Sequence, residues 1–181
     1  INLMINRCKP KIIFAEKKVI SKIEDLRIKN VQLDELFSEA QKNKSELESK
    51  FETIPGDTIA YIMFTSGSTG DPNGVAVAHS SILHFINWAK NEYELDSEDI
   101  FAGLNPLYFD NSVFDTYASL LNGSCLTPLS KSLVQDPNKA IKLLEKYKIT
   151  IWFSVPSLLV YYLRFKSIKK DSLVNLRYFI F

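Results

Sequence analysis

The sequence predicts an α/β fold with layered, mostly parallel sheets flanked by helices. Short apolar segments alternate with helical segments from Ile59 onward, and each unit is long enough for the crossover that joins two parallel strands. The chain has 181 residues, of which 46% are hydrophobic and 24% charged, as in an ordinary globular domain. It therefore has enough apolar residues for a core of its own.

Residues 1–57 are predicted to form a partial N-terminal α/β segment. A buried strand is expected at residues 11–15 and a second around Val31. The helix between them carries its apolar face on Val19, Ile20, Ile23 and Leu26. The polar stretch 33–51 is predicted as a surface helix that leads to a break at residues 53–57, which include a Pro-Gly pair.

Residues 58–181 are predicted to form the core α/β segment. The apolar runs predict strands at residues 59–64, 75–78, 100–104, 124–127, 149–153 and 177–181. Helices are predicted from Ser80 or Ser81 to about Tyr93, at residues 112–121 and 136–147, and from Pro156. Ser80 or Ser81 is expected to cap the first of these helices, and Gly123 suits a left-handed turn after the second.

Composition and charge argue against several classes of protein. The 22 basic and 21 acidic residues leave a net charge of +1 without a basic stripe, so no nucleic-acid partner is expected. Two distant cysteines, Cys8 and Cys125, imply neither a disulfide framework nor a metal site. With no run of about 20 apolar residues, we expect no membrane partner and a cytoplasmic location. His79 and His84 are predicted to be structural.

A loop rich in glycine and hydroxyl groups, residues 65–74, follows the strongest strand signal. Glycines let the backbone approach an anion, and hydroxyls supply donors to phosphate oxygens or ligands to Mg²⁺. The loop residues of these types are Thr65, Ser66, Gly67, Ser68, Thr69, Gly70 and Gly74. The loop matches neither the Walker nor the dinucleotide fingerprint. Composition alone leaves a plain surface turn as an equal alternative.

Residues 61–75, YIMFTSGSTGDPNGV, resemble the signature loop of the adenylate-forming (AMP-binding) superfamily. That superfamily includes acyl-CoA synthetases, luciferases, adenylation domains of nonribosomal peptide synthetases and D-alanine–carrier-protein ligases. The resemblance implies that the loop holds the phosphates of Mg²⁺-bound ATP, with Asn73 among the contacts. The family has a lysine where this chain has Asn73, which offers a neutral donor in place of a full charge. A weakened enzyme, or a non-catalytic remnant that binds a nucleotide or a partner, is the alternative.

The segment 105–115, NPLYFDNSVFD, surrounds the candidate substrate-binding residues. Asp110 or Ser112 could cap the following helix, or Asp110 could meet an ammonium group. Phe109-Asp110-Asn111-Ser112 resembles the F-D-x-S motif of family members that activate amino acids, which implies that Asp110 binds the α-amine. The same resemblance places Phe114 and Phe153 in the wall of the substrate pocket, although both could simply pack in the core.

The resemblance as a whole implies activation of an amino acid as aminoacyl-AMP, with release of pyrophosphate. Transfer of the acyl group to a carrier-protein phosphopantetheine thiol would follow. A carboxylic acid–CoA ligase is the alternative enzyme, against which Asp110 argues. The chain corresponds to an incomplete portion of the large N-terminal domain of such an enzyme. The family's catalytic lysine has no counterpart among these residues, so the 181-residue chain alone is expected to be inactive.

Overall fold

A computed structural model describes residues 1–23, 28–32, 53–65 and 72–181. The chain divides into two compact units. The first comprises Ile1–Thr58 and Phe64–Val75, and the second comprises Ile59–Met63 and Ala76–Phe181. The surface helix predicted at residues 33–51 and the loop residues 66–70 lie outside the described residues.

The described residues up to 32 of the first unit form two helices and two parallel strands. In chain order these are α1 (Asn2–Cys8), β1 (Ile12–Ala15), α2 (Lys17–Ile20) and β2 (Lys29–Gln32). Ile12 pairs with Lys29 and Phe14 with Val31, which confirms both predicted strands. The helix is shorter than predicted, because Lys22 and Ile23 donate to carbonyls three residues back and the chain tightens into turns. Leu26 lies outside the described residues.

The second unit is built on a four-stranded parallel sheet, which confirms the predicted fold class. Its strands are β5 (Ile100–Gly103), β6 (Cys125–Pro128), β7 (Ile151–Phe153) and β8 (Tyr178–Ile180). Their order across the sheet is β6-β5-β7-β8, and every neighbouring pair is parallel. Two further strands, β3 (Ile59–Thr65) and β4 (Asn73–Ala78), pair in a separate two-stranded sheet.

Helical segments connect the strands of the second unit. They are α3 (His79–Glu92), α4 (Asn111–Val113), a π-helical turn (Phe114–Ala118), α5 (Ser119–Leu121), α6 (Lys131–Val134), α7 (Pro137–Lys146) and α8 (Pro156–Arg164). The Asp136 carboxylate caps α7 by accepting from the Lys139 N–H at 3.1 Å. Gly123 adopts the predicted left-handed conformation, with φ of 76°. The predicted cap of α3 at Ser80 or Ser81 was wrong, because the helix begins at His79, directly after β4.

Side chains from both faces of the sheet are buried. Phe101 and Ile151 belong to one apolar cluster, whereas their strand neighbours Ala102 and Trp152 belong to another. This separation follows from the alternation of side chains along a strand. A parallel sheet that is covered on both faces explains why its strands are almost continuously apolar.

An ion pair between a buried carboxylate and a partly exposed guanidinium joins the amino ends of the strands. Arg177 donates to both carboxylate oxygens of Asp99, at 2.8 and 2.9 Å, and Asp99 is 1% exposed. The Thr150 hydroxyl donates to Asp99 Oδ1 at 2.6 Å and accepts from the Ile100 N–H at 2.9 Å. The side chains at the amino ends of the strands are thus hydrogen-bonded to one another within the fold. The carboxyl ends of the strands, at the opposite edge of the sheet, are the candidate place for a ligand. None of the helices in the described ranges has the length and apolar character needed to cross a bilayer.

Candidate functional site

The candidate substrate residues lie beyond the carboxyl ends of β5 and β7. In parallel α/β sheets ligands bind at this edge, because the loops that leave the strands converge there. The segment 104–110 follows β5, and residues 154–155 connect β7 to α8. Pro156 stands in the first turn of α8, where its missing N–H costs no hydrogen bond.

A cavity of about 340 Å³, here called the Asp110 cavity, opens at this edge. Among the described residues, its lining is apolar and aromatic apart from a few polar groups, and Asp110 is the one charged residue. The lining residues are Tyr61, Val77, Ser81, Ile82, Phe85, Asp110, Asn111, Val113, Phe114 and Phe153. The structure therefore brings together three of the four predicted substrate residues: Asp110, Phe114 and Phe153.

The fourth residue, Phe109, lies elsewhere. It lines a neighbouring cavity of about 640 Å³ together with Tyr108, and the centroids of the two rings are 4.9 Å apart. Phe109 is 55% exposed, since the turn that precedes α4 directs it away from the smaller cavity. Asp110 and Asn111 line both cavities, so the start of α4 forms a common wall.

The Asp110 carboxylate has a structural contact and also faces the cavity. One oxygen, Oδ1, accepts from the Asn111 N–H at 2.9 Å, as the capping interpretation predicts. Ser112 is not a cap, because its hydroxyl donates to the Phe109 carbonyl at 2.6 Å. Since a single cap contact leaves most of the acceptor capacity of a carboxylate unused, Asp110 keeps capacity for a cationic ligand.

Tyr61 is a member of the cavity that the sequence analysis did not identify. Burial raises the pKa of the Tyr61 phenol, and the nearby Tyr117 and Asp110 raise it further. The phenol therefore stays protonated near neutral pH and remains a hydrogen-bond donor beside the carboxylate. Burial along β3 does not alternate, since the neighbours Ala60 and Tyr61 are both partly buried, so no period-two pattern marks Tyr61 in the sequence.

Aromatic rings form one wall of the cavity. Phe114 meets Phe85 with ring centroids 6.3 Å apart and contacts Tyr93 and Phe101 at 5.8 and 5.7 Å. Phe114 is 3% exposed, so the core-packing interpretation holds for most of its surface. Phe85 was also missed, although its spacing from Ile82 and Ala89 follows the buried face of a helix.

A second carboxyl group, that of Asp115, is buried beside this wall. Its Oδ2 accepts from Asn105 Nδ2 at 2.8 Å, and its Oδ1 has no hydrogen-bond partner within the described part of the chain. Burial raises the pKa of Asp115 to about 7, against the smaller opposing effect of the bonds from Asn105. The residue lies in the π-helical turn, whose carbonyls of Asp115 and Thr116 accept from the Ser119 hydroxyl.

Only the ends of the predicted phosphate loop are described. Thr65 ends β3, and Asn73 and Gly74 begin β4. The Thr65 hydroxyl donates to the Asn73 carbonyl at 3.5 Å, which joins the two ends. Arg7 donates to the carbonyl of Pro72, so a guanidinium lies next to the end of the loop. Ser66, Gly67, Ser68, Thr69 and Gly70 lie outside the described residues.

Comparison with known proteins identifies one family. The profile described as "AMP-binding enzyme" matches residues 1–181. The chain is 31% identical over 159 residues to a D-alanine–D-alanyl carrier protein ligase of Bacillus cereus (strain AH187), covering 88% of this chain and 32% of that protein. A ligase of the same name from Bacillus anthracis has the same identity and coverage. The chain thus spans about a third of the length of the curated relatives that it matches.

Solved structures share the fold. The Vibrio cholerae adenylation domain AlmE, in complex with glycyl-adenosine-5'-phosphate, superposes with a TM-score of 0.66 at 26% identity, covering 91% of this chain and 30% of that one. McyG A-PCP, complexed with phenylalanyl-adenylate, gives a TM-score of 0.76 at 18% identity over 97% of this chain and 29% of that chain.

Proposed function

Since this chain belongs to the AMP-binding enzyme family, we propose that the full-length protein activates an amino acid as its aminoacyl-adenylate. The observation that carries the proposal is the Asp110 cavity, which has one charged lining residue and otherwise mostly apolar walls. A site of this size with one carboxylate favours a small zwitterion whose ammonium group pairs with Asp110. The relatives whose names specify an amino acid or an aminoacyl-adenylate support this choice.

The physical basis is charge pairing at Asp110, whose side chain is exposed in the described part of the chain and so accessible to a ligand. A hydrogen bond between an ammonium and a carboxylate is roughly twice as strong as a neutral bond. The Tyr61 phenol and the Asn111 amide also line the cavity and add neutral hydrogen-bonding groups. A fatty or aryl acid has no ammonium group to pair with Asp110, and the loss of that charge-assisted hydrogen bond argues against a carboxylic acid–CoA ligase.

The phosphate loop is proposed to bind ATP. Its proposed contacts are Thr65, Ser66, Gly67, Ser68, Thr69, Gly70, Asn73 and Gly74, the positions that match the family's loop. Mg²⁺ bound to ATP would supply charge neutralisation at the phosphates, and the loop hydroxyls are the oxygen donors that suit it. The Asn73 amide provides a neutral donor, and Arg7 lies next to the loop end as a cation within the same unit.

The reaction would proceed by displacement at phosphorus. A carboxylate oxygen of the amino acid forms a bond to the α-phosphorus, and the bond from that phosphorus to the bridging oxygen breaks. Pyrophosphate leaves with the electron pair, and no proton is transferred in the step. The residues of this chain contribute by holding the ammonium at Asp110 and the phosphates at the loop, so their effect is positioning and charge stabilisation.

A carrier protein is the proposed acceptor. The phosphopantetheine thiol would form a bond to the acyl carbon while the bond to AMP breaks and the thiol proton is lost. The carrier-protein ligases among the relatives and the A-PCP structure support this partner. The supply of ATP and of carrier proteins makes the cytoplasm the proposed location.

The proposal is tested by amino-acid-dependent exchange of pyrophosphate into ATP, measured on the full-length protein. The panel consists of the twenty amino acids, D-alanine, and fatty and aryl acids. We expect exchange with one or a few amino acids. Exchange with a fatty or aryl acid alone would contradict the proposal, and no exchange with any acid would favour a non-catalytic protein.

A further inference from the structure

The side-chain amide of Asn105 joins three segments of the second unit. Nδ2 donates to Oδ2 of Asp115 at 2.8 Å and to the carbonyl oxygen of Phe153 at 2.9 Å. The Asn105 backbone N–H also points to Asp115 Oδ2, at 3.4 Å. An amide nitrogen carries two hydrogens, so both are used and the orientation of the group is fixed.

The partners of this amide lead directly to the Asp110 cavity. Asp115 follows Phe114 in the π-helical turn, and Phe153 is the last residue of β7. The rings of Phe114 and Phe153 line the cavity. Asn105 and Asp110 lie at the two ends of the loop that connects β5 to α4. The Asn105 amide therefore links this loop to the segments that carry Phe114 and Phe153.

The contact between Asn105 and Asp115 destabilises the folded state relative to an apolar contact at the same place. Asp115 is 2% exposed, and its Oδ1 lacks a partner among the described residues. Burial of a carboxyl group with an unpaired oxygen costs free energy that an apolar side chain of similar size would not. The turn that holds it is π-helical, and such turns are frequent at functional sites. A costly polar contact beside a ligand cavity indicates a role beyond packing.

We infer that Asn105 and Asp115 are positioning residues that set the Asp110 carboxylate relative to the wall formed by Phe114 and Phe153. This inference rests on the proposed function. Neither residue lines the Asp110 cavity, although Asn105 lines the neighbouring one. They fix the loop and the turn that hold the ammonium at one end of the cavity.

The first test is Asn105→Ala in the full-length protein, assayed by exchange. We expect the KM for the amino acid to rise about tenfold or more, in the range found for residues that support a binding group, while the KM for ATP changes less than about threefold. Asn105→Gln keeps the amide but moves it by one methylene, and it should also raise the KM for the amino acid more than the KM for ATP. It serves as the second variant in case Asn105→Ala folds poorly.

A double-mutant cycle separates positioning from general loss of stability. Asp115→Ala should raise the KM for the amino acid, and the double variant should be no worse than Asn105→Ala, because that single variant already removes the contact between the two residues. Asp115→Asn retains an acceptor oxygen and should recover most of the loss. Ser167→Ala is the matched control, since it removes a buried hydrogen bond, to Asn138 Oδ1 at 2.9 Å, away from the cavity.

The outcomes are distinguishable. An unchanged KM for the amino acid in folded Asn105→Ala and Asn105→Gln, or effects of Asn105 and Asp115 that multiply, would overturn this inference and leave the proposed function intact. If the KM for both substrates rose equally, and Ser167→Ala had the same effect, Asn105 and Asp115 would have only a structural role and the inference would be overturned. Absence of exchange by the unsubstituted protein would overturn the proposed function and, with it, the inference.

Discussion

The ring of Phe114 meets the ring of Phe153 edge to face, with centroids 5.1 Å apart and planes inclined at 70°. The contact joins the π-helical turn to the carboxyl end of β7. Both rings also line the Asp110 cavity, so one aromatic pair belongs to the core and to the candidate site. This double membership predicts that stability and substrate selection are coupled at Phe114.

Substitution of Phe114 by alanine should be strongly destabilising. The ring is 3% exposed and contacts four other aromatic rings, so its removal leaves a void in a packed cluster. We expect a loss of about 3–5 kcal/mol in the free energy of unfolding, measured by urea denaturation. Phe165→Ala is the control, because that ring is 56% exposed. A loss below about 1 kcal/mol would show that Phe114 is not part of the core.

Stability should depend on pH through Asp115. Its pKa is raised to about 7, from 3.8 for an unperturbed carboxyl, so the folded state retains a proton that the unfolded state has lost. Stability from this group is therefore full below about pH 4 and declines as the pH rises toward 7 and beyond. The decline should amount to at most about 4 kcal/mol.

The comparison with Asp115→Asn checks this assignment. The asparagine is nearly isosteric and cannot ionise, so its unfolding free energy should decline less than that of the unsubstituted protein between pH 4 and 8. Urea denaturation of the two proteins across this range measures the difference. Parallel curves would mean that Asp115 does not titrate in this window.

The replacement Asn73→Lys should increase turnover. Lysine would add a full positive charge at the end of the phosphate loop, where the family carries one and this chain has a neutral amide. We expect the rate of exchange in the full-length protein to rise about tenfold, as charge stabilisation at a transferred phosphate is worth 1–2 kcal/mol or more. Asn73→Gln, which adds length without charge, is the control. An unchanged rate would show that the neutral amide suffices at this position.

The sequence predicted the sheet well and the local details of the site less well. The strands of the second unit are short apolar runs between turn residues, and each was found close to its predicted position. The π-helical turn was predicted only as part of a regular helix. The features that accompany it, the Ser119 hydroxyl contact and the burial of Asp115, have no periodic signature.

In the candidate site, too, some residues were predicted from the sequence and others were missed. Asp110, Phe114 and Phe153, which the resemblance predicted as substrate-binding residues, line one cavity, whereas Phe109, from the same motif as Asp110, lines the neighbouring one. Their roles in binding stay predictions. The contact between Asn105 and Asp115 was missed, since it depends on how two loops pack. Motifs identify residues that touch a ligand, whereas residues that support them are found from tertiary contacts.

The central claim is that Asp110 binds the amine of an amino acid, and Asp110→Asn tests it most directly. The asparagine can keep the oxygen that accepts from the Asn111 N–H at 2.9 Å, and it replaces the other oxygen by an uncharged NH2 donor. Amino-acid-dependent exchange in the full-length protein should fall about 10- to 100-fold in kcat/KM for the amino acid, with a smaller change for ATP. Asp171→Ala, which removes an exposed carboxylate that lines neither cavity, should leave exchange unchanged. Exchange by Asp110→Asn equal to that of the unsubstituted protein would contradict the account and leave Asp110 as a helix cap.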